Sequence, residues 1–412
     1  MILITLDTTR ADHLSCYGYH RQTSPNLDKL ANECLVYTRA IAPSSWTLPS
    51  HASLFTGKFT SSHGAEYDSH GPLRLLDAIE GPDVWEVHRA RGLPQNERTL
   101  ARILRKTGYV TGAVVGGPWL KQIFGLDKGF DYYDDTQIGT LNGRLARDVT
   151  ASAVNWIEKS SKNKFFLFLN YFDPHGPYKP SEGFAHAFVS KPWQLREKRI
   201  ALYDGEILYM DHYIGEFLEY LRARNLYENT FIIVTSDHGE LLGEHDRFGH
   251  GKYLTQQELH VPLLLKYPDG EVSPGQTDAP VQVNDIFAII LERLGIEMPQ
   301  GIQAGTPPDI GHPLFAEVYP APAVTSAGDW RAIFEGDFKF VWNSKGDHRL
   351  FHLKNDPAEL VNLALEQPER AAHMLSKMNQ YLASLPKPGP APSPQTVDED
   401  TKKALKSLGY VN

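Results

Sequence analysis

Thr47 stands in the run Ser44-Ser45-Trp46-Thr47-Leu48-Pro49-Ser50-His51-Ala52-Ser53-Leu54-Phe55-Thr56-Gly57. A hydroxyl ahead of Pro-Ser and an apolar stretch reads as a loop feeding a helix, since proline suits a first turn, where its missing N–H costs nothing. Two roles suit a hydroxyl there. It can cap the helix, as Ser and Thr usually do. It can also be a nucleophile aimed at an anion held by the helix N-terminus. Further along, Ser236-Asp237-His238-Gly239-Glu240 directly follows one apolar run, and Asp7 ends another. Asp7, Asp237 and His238 offer two carboxylates and an imidazole, a donor set for one divalent cation. Thr47 Oγ would complete that shell, and coordination would make an otherwise inert alcohol a usable nucleophile. A plainer reading of the Asp-His pair is a carboxylate capping a turn beside a surface histidine.

A second group of residues bears on the same chemistry. His175 lies in Asp173-Pro174-His175-Gly176-Pro177-Tyr178, and His250 in Phe248-Gly249-His250-Gly251-Lys252. Together the two imidazoles would bind the oxygens of an anionic substrate, protonate a leaving group, or hold a second metal that clamps the attacking and leaving oxygens. Lys252 offers a point charge for a non-bridging oxygen.

Something must carry these residues to one place. Residues 2–6 are a short, continuous apolar run, which suits a strand buried on both faces. Similar runs at 108–116, 165–171, 231–235 and 261–266 predict further strands. Between them, helical spacing is predicted over 99–106, 151–157 and 203–224, with a capped helix after Ser24-Pro25-Asn26. Strands alternating with helices imply an α/β fold, with a mostly parallel central sheet and helices on both faces. Ligands collect at the carboxyl ends of such strands, where Asp7, Asp173 and Asp237 fall. Residues 269–282 and 299–313, rich in Gly and Pro, read as loops. After them, three short antiparallel strands between 330 and 353 and a helix over 368–384 predict a small α+β subdomain. The division expected is a catalytic core over 1–310, a C-terminal α+β subdomain over 311–384, and a Pro-rich linker and tail over 385–412.

The bulk properties narrow the choice. The chain has 412 residues, 41% hydrophobic and 22% charged, which is ordinary for a globular protein. A net charge of −9 argues against a nucleic-acid surface, which is normally basic. Cys16 and Cys34 are too few for a disulfide framework and read as buried free thiols. The opening Met1-Ile2-Leu3-Ile4-Thr5-Leu6 has no basic n-region and no spanning segment. The expectation is a cytoplasmic protein without a membrane span, or a periplasmic or secreted one if a leader precedes it. Asn26 and Asp12 read as loop or cap residues, His63-Gly64 as a turn, and Glu206 and Asp211 as surface or salt-bridge residues. Loops 66–98 and 179–200 hold Tyr67, Trp85, Tyr178 and Trp193, which suit stacking on a sugar or aryl group, or packing.

The chain resembles a type I sulfatase, within the alkaline phosphatase-like superfamily. The residues carrying the resemblance are Leu3-Ile4-Thr5-Leu6-Asp7-Thr8-Thr9-Arg10-Ala11-Asp12-His13-Leu14, Thr23 to Asp28, Thr47 to His51, and Gly108-Tyr109 through Gly129-Phe130-Asp131. They continue in family order through Asp173-Pro174-His175, Ser236 to Glu240, Val261-Pro262-Leu263, and Leu353 to Glu359 with Asn362-Leu363. The departures are specific. Sulfatases carry, at the place of Thr47, a Cys or Ser that is oxidised to formylglycine. The Arg that follows is His51 here, the second acid of the opening pair is Thr8, and Gly116-Gly117-Pro118-Trp119 lacks the family's lysine. What remains resembles the threonine-nucleophile branch, which includes nucleotide pyrophosphatase-type phosphodiesterases and phosphoethanolamine and lipoteichoic acid transferases. That resemblance implies metal ligation by Asp7, Thr47, Asp237 and His238, and places His175 and His250 in the site. It implies one or two divalent ions (Mn, Zn or Ca) and a small-molecule, glycan or lipid-headgroup anionic ester as substrate. The expected function is hydrolysis of phosphate mono- or diesters through Thr47, with His51, His175, His250 and Lys252 taking part. The alternatives are a sulfate-ester hydrolase without formylglycine, a catalytically weak binding protein on the same frame, and transfer to an acceptor other than water.

Overall fold

The computed structural model describes residues 1–181, 183–188, 195–320 and 325–389. Trp193 and residues 390–412 of the expected linker and tail lie outside the described residues.

Eighteen strands and nine α-helices follow one another along the described chain. The first strands and helices are β1 (Ile2–Leu6), α1 (Pro25–Ala31), β2 (Leu35–Ile41), α2 (Thr47–Thr56) and α3 (Thr60–His63). Three short strands, β3 (Glu66–Tyr67), β4 (Leu73–Arg74) and β5 (Arg89–Arg91), make a minor sheet where a loop was expected. Then come α4 (Leu100–Lys106), β6 (Val110–Val114), β7 (Tyr132–Asp134), α5 (Ala146–Ser160), β8 (Phe165–Tyr171), α6 (Leu195–Ala223) and β9 (Ile232–Thr235). A hairpin, β10 (Leu241–Leu242) with β11 (Phe248–Gly249), leads to α7 (Gln256–Leu259) and β12 (His260–Lys266). The stretch read as a loop from 269 to 282 contains β13 (Gly275–Thr277) and β14 (Val281–Gln282), and α8 (Asp285–Arg293) follows.

The central sheet runs β13-β2-β12-β9-β1-β8-β6-β7, with β14 beside β2. All its pairings are parallel except those of β12, which is antiparallel to both β2 and β9. β1 is flanked by β8 and β9, so it is buried along its whole length. Its side chains alternate between two layers, as the period of a strand requires. Ile2, Ile4 and Leu6 pack with α1, α5 and α6, whereas Leu3 packs with α2, α4 and α8. Each layer removes its apolar stripe from water, the main driving force for the fold.

Beyond the core, β15 (Phe315–Val318), β16 (Trp330–Glu335), β17 (Phe338–Asn343) and β18 (Arg349–His352) form an antiparallel sheet. The helix α9 (Pro368–Ser384) covers it through Met374 and Met378. Lys339 of β17 is fully buried, and its Nζ donates to the Leu254 carbonyl (2.6 Å) and to Glu359 Oε1 (2.7 Å). Glu359 Oε2 in turn accepts the Gln256 N–H (2.7 Å), so the small sheet grips the segment just after His250.

Two expectations on α6 are corrected. Asp211 is fully buried, and its carboxylate takes the Asn26 and Leu27 N–H groups at 2.9 and 2.8 Å, so it caps α1 from outside. Glu206 is also buried and accepts the Lys179 N–H at 2.6 Å.

Candidate active site

β1 and β9 are parallel neighbours, so the residues that leave their carboxyl ends emerge side by side. Asp7 follows β1, and Asp237 and His238 follow β9. One ligand atom from each of the three lies within 4.8 Å of the others, and all three side chains are buried. Asp237 Oδ1 accepts the His238 and Thr8 N–H groups at 2.9 and 3.3 Å. The remaining oxygens, Asp7 Oδ1 and Oδ2 and Asp237 Oδ2, are buried and have no hydrogen-bond partner among the described residues. The Asn170 amide lies near Asp7, but its own hydrogen bond goes to the Thr5 hydroxyl at 3.2 Å.

Orphaned carboxylate oxygens inside a protein are costly. Burial, followed by the charge of Asp237, pushes Asp7 well above the ordinary carboxylate range. Burial likewise raises Asp237 to about 7. Three unpaired oxygens and an imidazole facing one point fit a divalent cation, whose charge would favour ionisation of both acids.

Thr47 is the first residue of α2, and the N-cap position belongs to Trp46, with no side-chain capping bond. The capping role therefore does not apply to Thr47. Its hydroxyl is buried and stands 3.3 Å from His238 Nε2. One turn on, the Ser50 hydroxyl donates to the Asp237 carbonyl (2.6 Å) and fastens the helix start to the end of β9. The unpaired N–H groups at the start of α2 and its dipole favour an anion beside Thr47.

Four imidazoles surround this point, and their Nδ1 partners separate them. A carbonyl can only accept, so an Nδ1 bonded to one must carry the proton. His51 Nδ1 donates to the Thr47 carbonyl (2.9 Å), His175 Nδ1 to the Gly176 carbonyl (2.7 Å) and His238 Nδ1 to the Gly239 carbonyl (2.9 Å). Each of these rings presents a bare Nε2. Burial depresses all three, His51 and His175 to about 4 and His238 well below its ordinary value. The His51 Nε2 is itself used, accepting from the Thr5 hydroxyl at 3.0 Å. With both nitrogens spent inside the fold, His51 holds the backbone of Thr47 and does not reach a substrate, contrary to its expected part in the chemistry.

His250 differs from these three. Its Nδ1 faces Glu240 Oε1 at 3.1 Å, and its ring centroid lies 4.5 Å from that of His238 and 5.0 Å from that of His175. Burial pulls its pKa down, but the carboxylates of Glu240, foremost, and of Asp237 and Glu258 together outweigh this and raise it. His175 and His250 thus stand beside the three-ligand cluster without joining it at ligand distance. Lys252 is half-buried two residues beyond His250, next to Gly251, whose backbone lies against Trp46. No hydrogen bond or ion pair joins Lys252 to the cluster among the described residues.

Glu240 was missed by the sequence reading, as were the supporting residues Thr5, Ser50 and Asn170. The signal for Glu240 was its place two residues beyond His238, close enough to follow the same strand end into the site.

The family model described as Sulfatase matches residues 1–296. The chain therefore belongs to the sulfatase family. It is 22% identical to an N-acetylglucosamine-6-O-sulfatase of Bacteroides thetaiotaomicron, over 88% of this chain and 82% of that one. It is 25% identical to an ulvan-active sulfatase of Formosa agariphila, over 93% of this chain and 81% of that one. Among solved structures, a protein in complex with its substrate D-glucosamine-2-N,6-O-disulfate superposes with a TM-score of 0.76 at 18% identity, covering 93% of this chain and 98% of that one. The phosphonate monoester hydrolase of Agrobacterium radiobacter superposes with a TM-score of 0.75 at 19% identity, covering 93% and 95%. These likenesses show the fold, a mixed central sheet between helices with a C-terminal antiparallel sheet. No described helix is long and apolar enough to cross a membrane.

Proposed function

We propose that this member of the sulfatase family hydrolyses sulfate monoesters at the Thr47 hydroxyl. The observation that carries the reading is that hydroxyl itself, which is buried, not spent on capping, and 3.3 Å from His238 Nε2 beside the Asp7–Asp237–His238 cluster. Relatives that bear the names of glycan sulfatases across most of their length support sulfate as the group to test first.

A divalent cation held by Asp7, Asp237 and His238 would supply Lewis acidity, lowering the hydroxyl's pKa and offsetting charge on the ester oxygens. The N-terminus of α2 seats the sulfate, and His51 and Ser50 hold Thr47 against the end of β9. The Thr47 oxygen forms a bond to sulfur as the bond to the alcohol oxygen breaks, having lost its proton to solvent. His250 gives a proton to the departing alcohol, while the bare Nε2 of His175 accepts a hydrogen bond on the same side. Water then attacks sulfur, returns a proton to His250 and frees Thr47. The balance is one ester and one water giving one alcohol and one hydrogen sulfate.

Thr47 also favours a second reading. A threonine sulfate yields to water reluctantly, whereas a threonine phosphate or phosphonate ester is an ordinary intermediate of covalent catalysis. One structural relative is a phosphonate monoester hydrolase. The two readings separate in one experiment: 4-nitrophenyl sulfate, 4-nitrophenyl phosphate, bis-4-nitrophenyl phosphate and 4-nitrophenyl phenylphosphonate assayed in parallel with Mn²⁺, Zn²⁺ and Ca²⁺. High-resolution mass measurement of the Thr47 peptide after trapping completes it. Sulfate turnover with a sulfated Thr47 is the expected result. Phosphorus-ester turnover far above sulfate overturns the choice of sulfate, and no turnover with any metal leaves a binding protein on an enzyme frame.

A further inference from the structure

We propose that Glu240 is a positioning residue that holds His250 by Nδ1 and so fixes it as the proton donor to the leaving alcohol. This rests on the reading of the site as an ester hydrolase. The contrast among the four imidazoles carries the argument. Three of them spend Nδ1 on a backbone carbonyl, which leaves Nε2 without a proton. His51 Nδ1 also passes 3.5 Å from Asp237 Oδ2, but its hydrogen bond goes to the Thr47 carbonyl; of the four, His250 alone spends its Nδ1 hydrogen bond on a carboxylate, at 3.1 Å. A carboxylate accepts that N–H and stabilises a ring that carries a second proton on Nε2. Nε2 of His250 is therefore the one imidazole nitrogen of the cluster arranged to give a proton.

Glu240 is itself held. Its side chain is only 2% exposed, the Tyr178 hydroxyl lies near its carboxylate, and Arg10 Nη1 donates to its backbone carbonyl at 3.2 Å. Arg10 is anchored in turn by Asp12 and Glu244. A buried carboxylate on a backbone tied down in this way can set the plane of the ring it meets. The geometry also assigns opposite work to the two neighbouring histidines. His175 is stacked on Phe172 at 4.4 Å between centroids with its Nε2 bare, and accepts where His250 donates.

The test compares kcat/KM over a series of aryl esters, from 4-nitrophenol to phenol, for the wild type, Glu240→Ala, Glu240→Gln, His250→Gln and the double variant E240A/H250Q. A proton donor matters most where the leaving group is poorest. The expected loss in Glu240→Ala is about 3-fold to 10-fold on the 4-nitrophenyl ester and about 100-fold to 1000-fold on the phenyl ester. The same steepening is expected for His250→Gln, with no further loss in the double variant. Glu240→Gln keeps an acceptor without the charge and falls between. An equal loss along the whole series marks a merely structural role and overturns the proposal. The ¹⁵N spectrum of the His250 ring, assigned by difference from His250→Gln, is read on the same proteins without substrate. An Nδ1 signal that moves in Glu240→Ala supports the proposal, and one that stays overturns it. A wild type that turns over none of the esters removes the hydrolase reading, and the ring spectrum then decides alone whether Glu240 holds His250.

Discussion

Two of the buried clusters of charge in this molecule are built in opposite ways. At the C-terminal sheet, Lys339 and Glu359 are fully partnered: the ammonium meets a carboxylate and a carbonyl, and the carboxylate meets an N–H besides. At the ends of β1 and β9, Asp7 has neither oxygen partnered and Asp237 has one left over. A satisfied ion pair inside a protein holds parts together. An unsatisfied one costs stability unless something arrives to complete it. The difference separates a fastening from a receptacle, although both are equally hidden from water.

The contrast can be broken at several points. The largest effect is expected at the receptacle's nucleophile. Thr47→Ala should lower kcat by about 10⁴-fold or more while leaving Tm nearly unchanged and the metal still held by Asp7, Asp237 and His238, if more weakly, since a reacting group carries catalysis rather than the fold. Kinetics beside metal analysis of the same sample checks this, and a variant that still turns over would remove Thr47 from the reaction. Next is the fastening. Lys339→Met should cost about 3–5 kcal/mol in urea unfolding, because Glu359 is left buried and unpaired, and Lys339→Met with Glu359→Leu should recover much of the loss. A small loss in the single variant would mean that the pair is not the clamp described.

Asp7→Asn should act in the reverse sense. Without metal it removes a costly acid, and the variant should be more stable than the wild type by about 1–3 kcal/mol. It should also lose the rise in Tm that Mn²⁺ or Zn²⁺ gives the wild type, a rise that grows with metal concentration as binding to the folded state requires. Thermal melts with and without a chelator measure both, and equal metal response in the two proteins would refute the ligand role.

The smallest effect lies at Glu206, an acid between the two extremes. Burial first, then the charge of Asp173, raises it to about 8, against the pull of the Lys179 N–H. Unfolded, it ionises near its ordinary 4.5. Between those values the folded chain holds a proton that the unfolded chain has released. Its contribution to stability therefore declines as pH rises from about 5 to about 8 and levels beyond. Glu206→Gln should remove that decline, on the order of 1–3 kcal/mol, making the variant relatively more stable at pH 9 than at pH 5. Urea melts at the two pH values provide the comparison, and parallel curves would count against it.

How far all this could be read from the residues depended on whether the signal was local. β1, β8 and β9 are mainly apolar runs followed closely by an acid, and both the strands and the ligands they deliver were legible. β12 is as apolar as its neighbours, but a strand buried on both faces looks alike in either direction, so its antiparallel pairing was not visible. The minor sheet of β3, β4 and β5 has strands of two or three residues, too short for alternation to register, and it read as a loop. Glu206 and Asp211 were misread as surface groups because the N–H groups that satisfy them, from Lys179 and from Asn26 and Leu27, are distant in sequence. His250 was placed by spacing within a resemblance. The importance of Glu240 needed the geometry, since an acid two residues from a histidine has no fixed meaning until the chain is folded.

The position of β1 sets a schedule for making this protein. The strand leaves the ribosome long before its two neighbours in the sheet, which begin at residues 165 and 232. At ordinary translation speeds it waits roughly 10–50 s before the second arrives. Through that interval a largely apolar ribbon has at least one hydrogen-bonding edge open, and both until β8 is made, the state most prone to pairing with a stranger. A nascent chain of this design needs a guardian until β9 has been synthesised, and expression without one should yield inclusion bodies seeded by the amino-terminal segment.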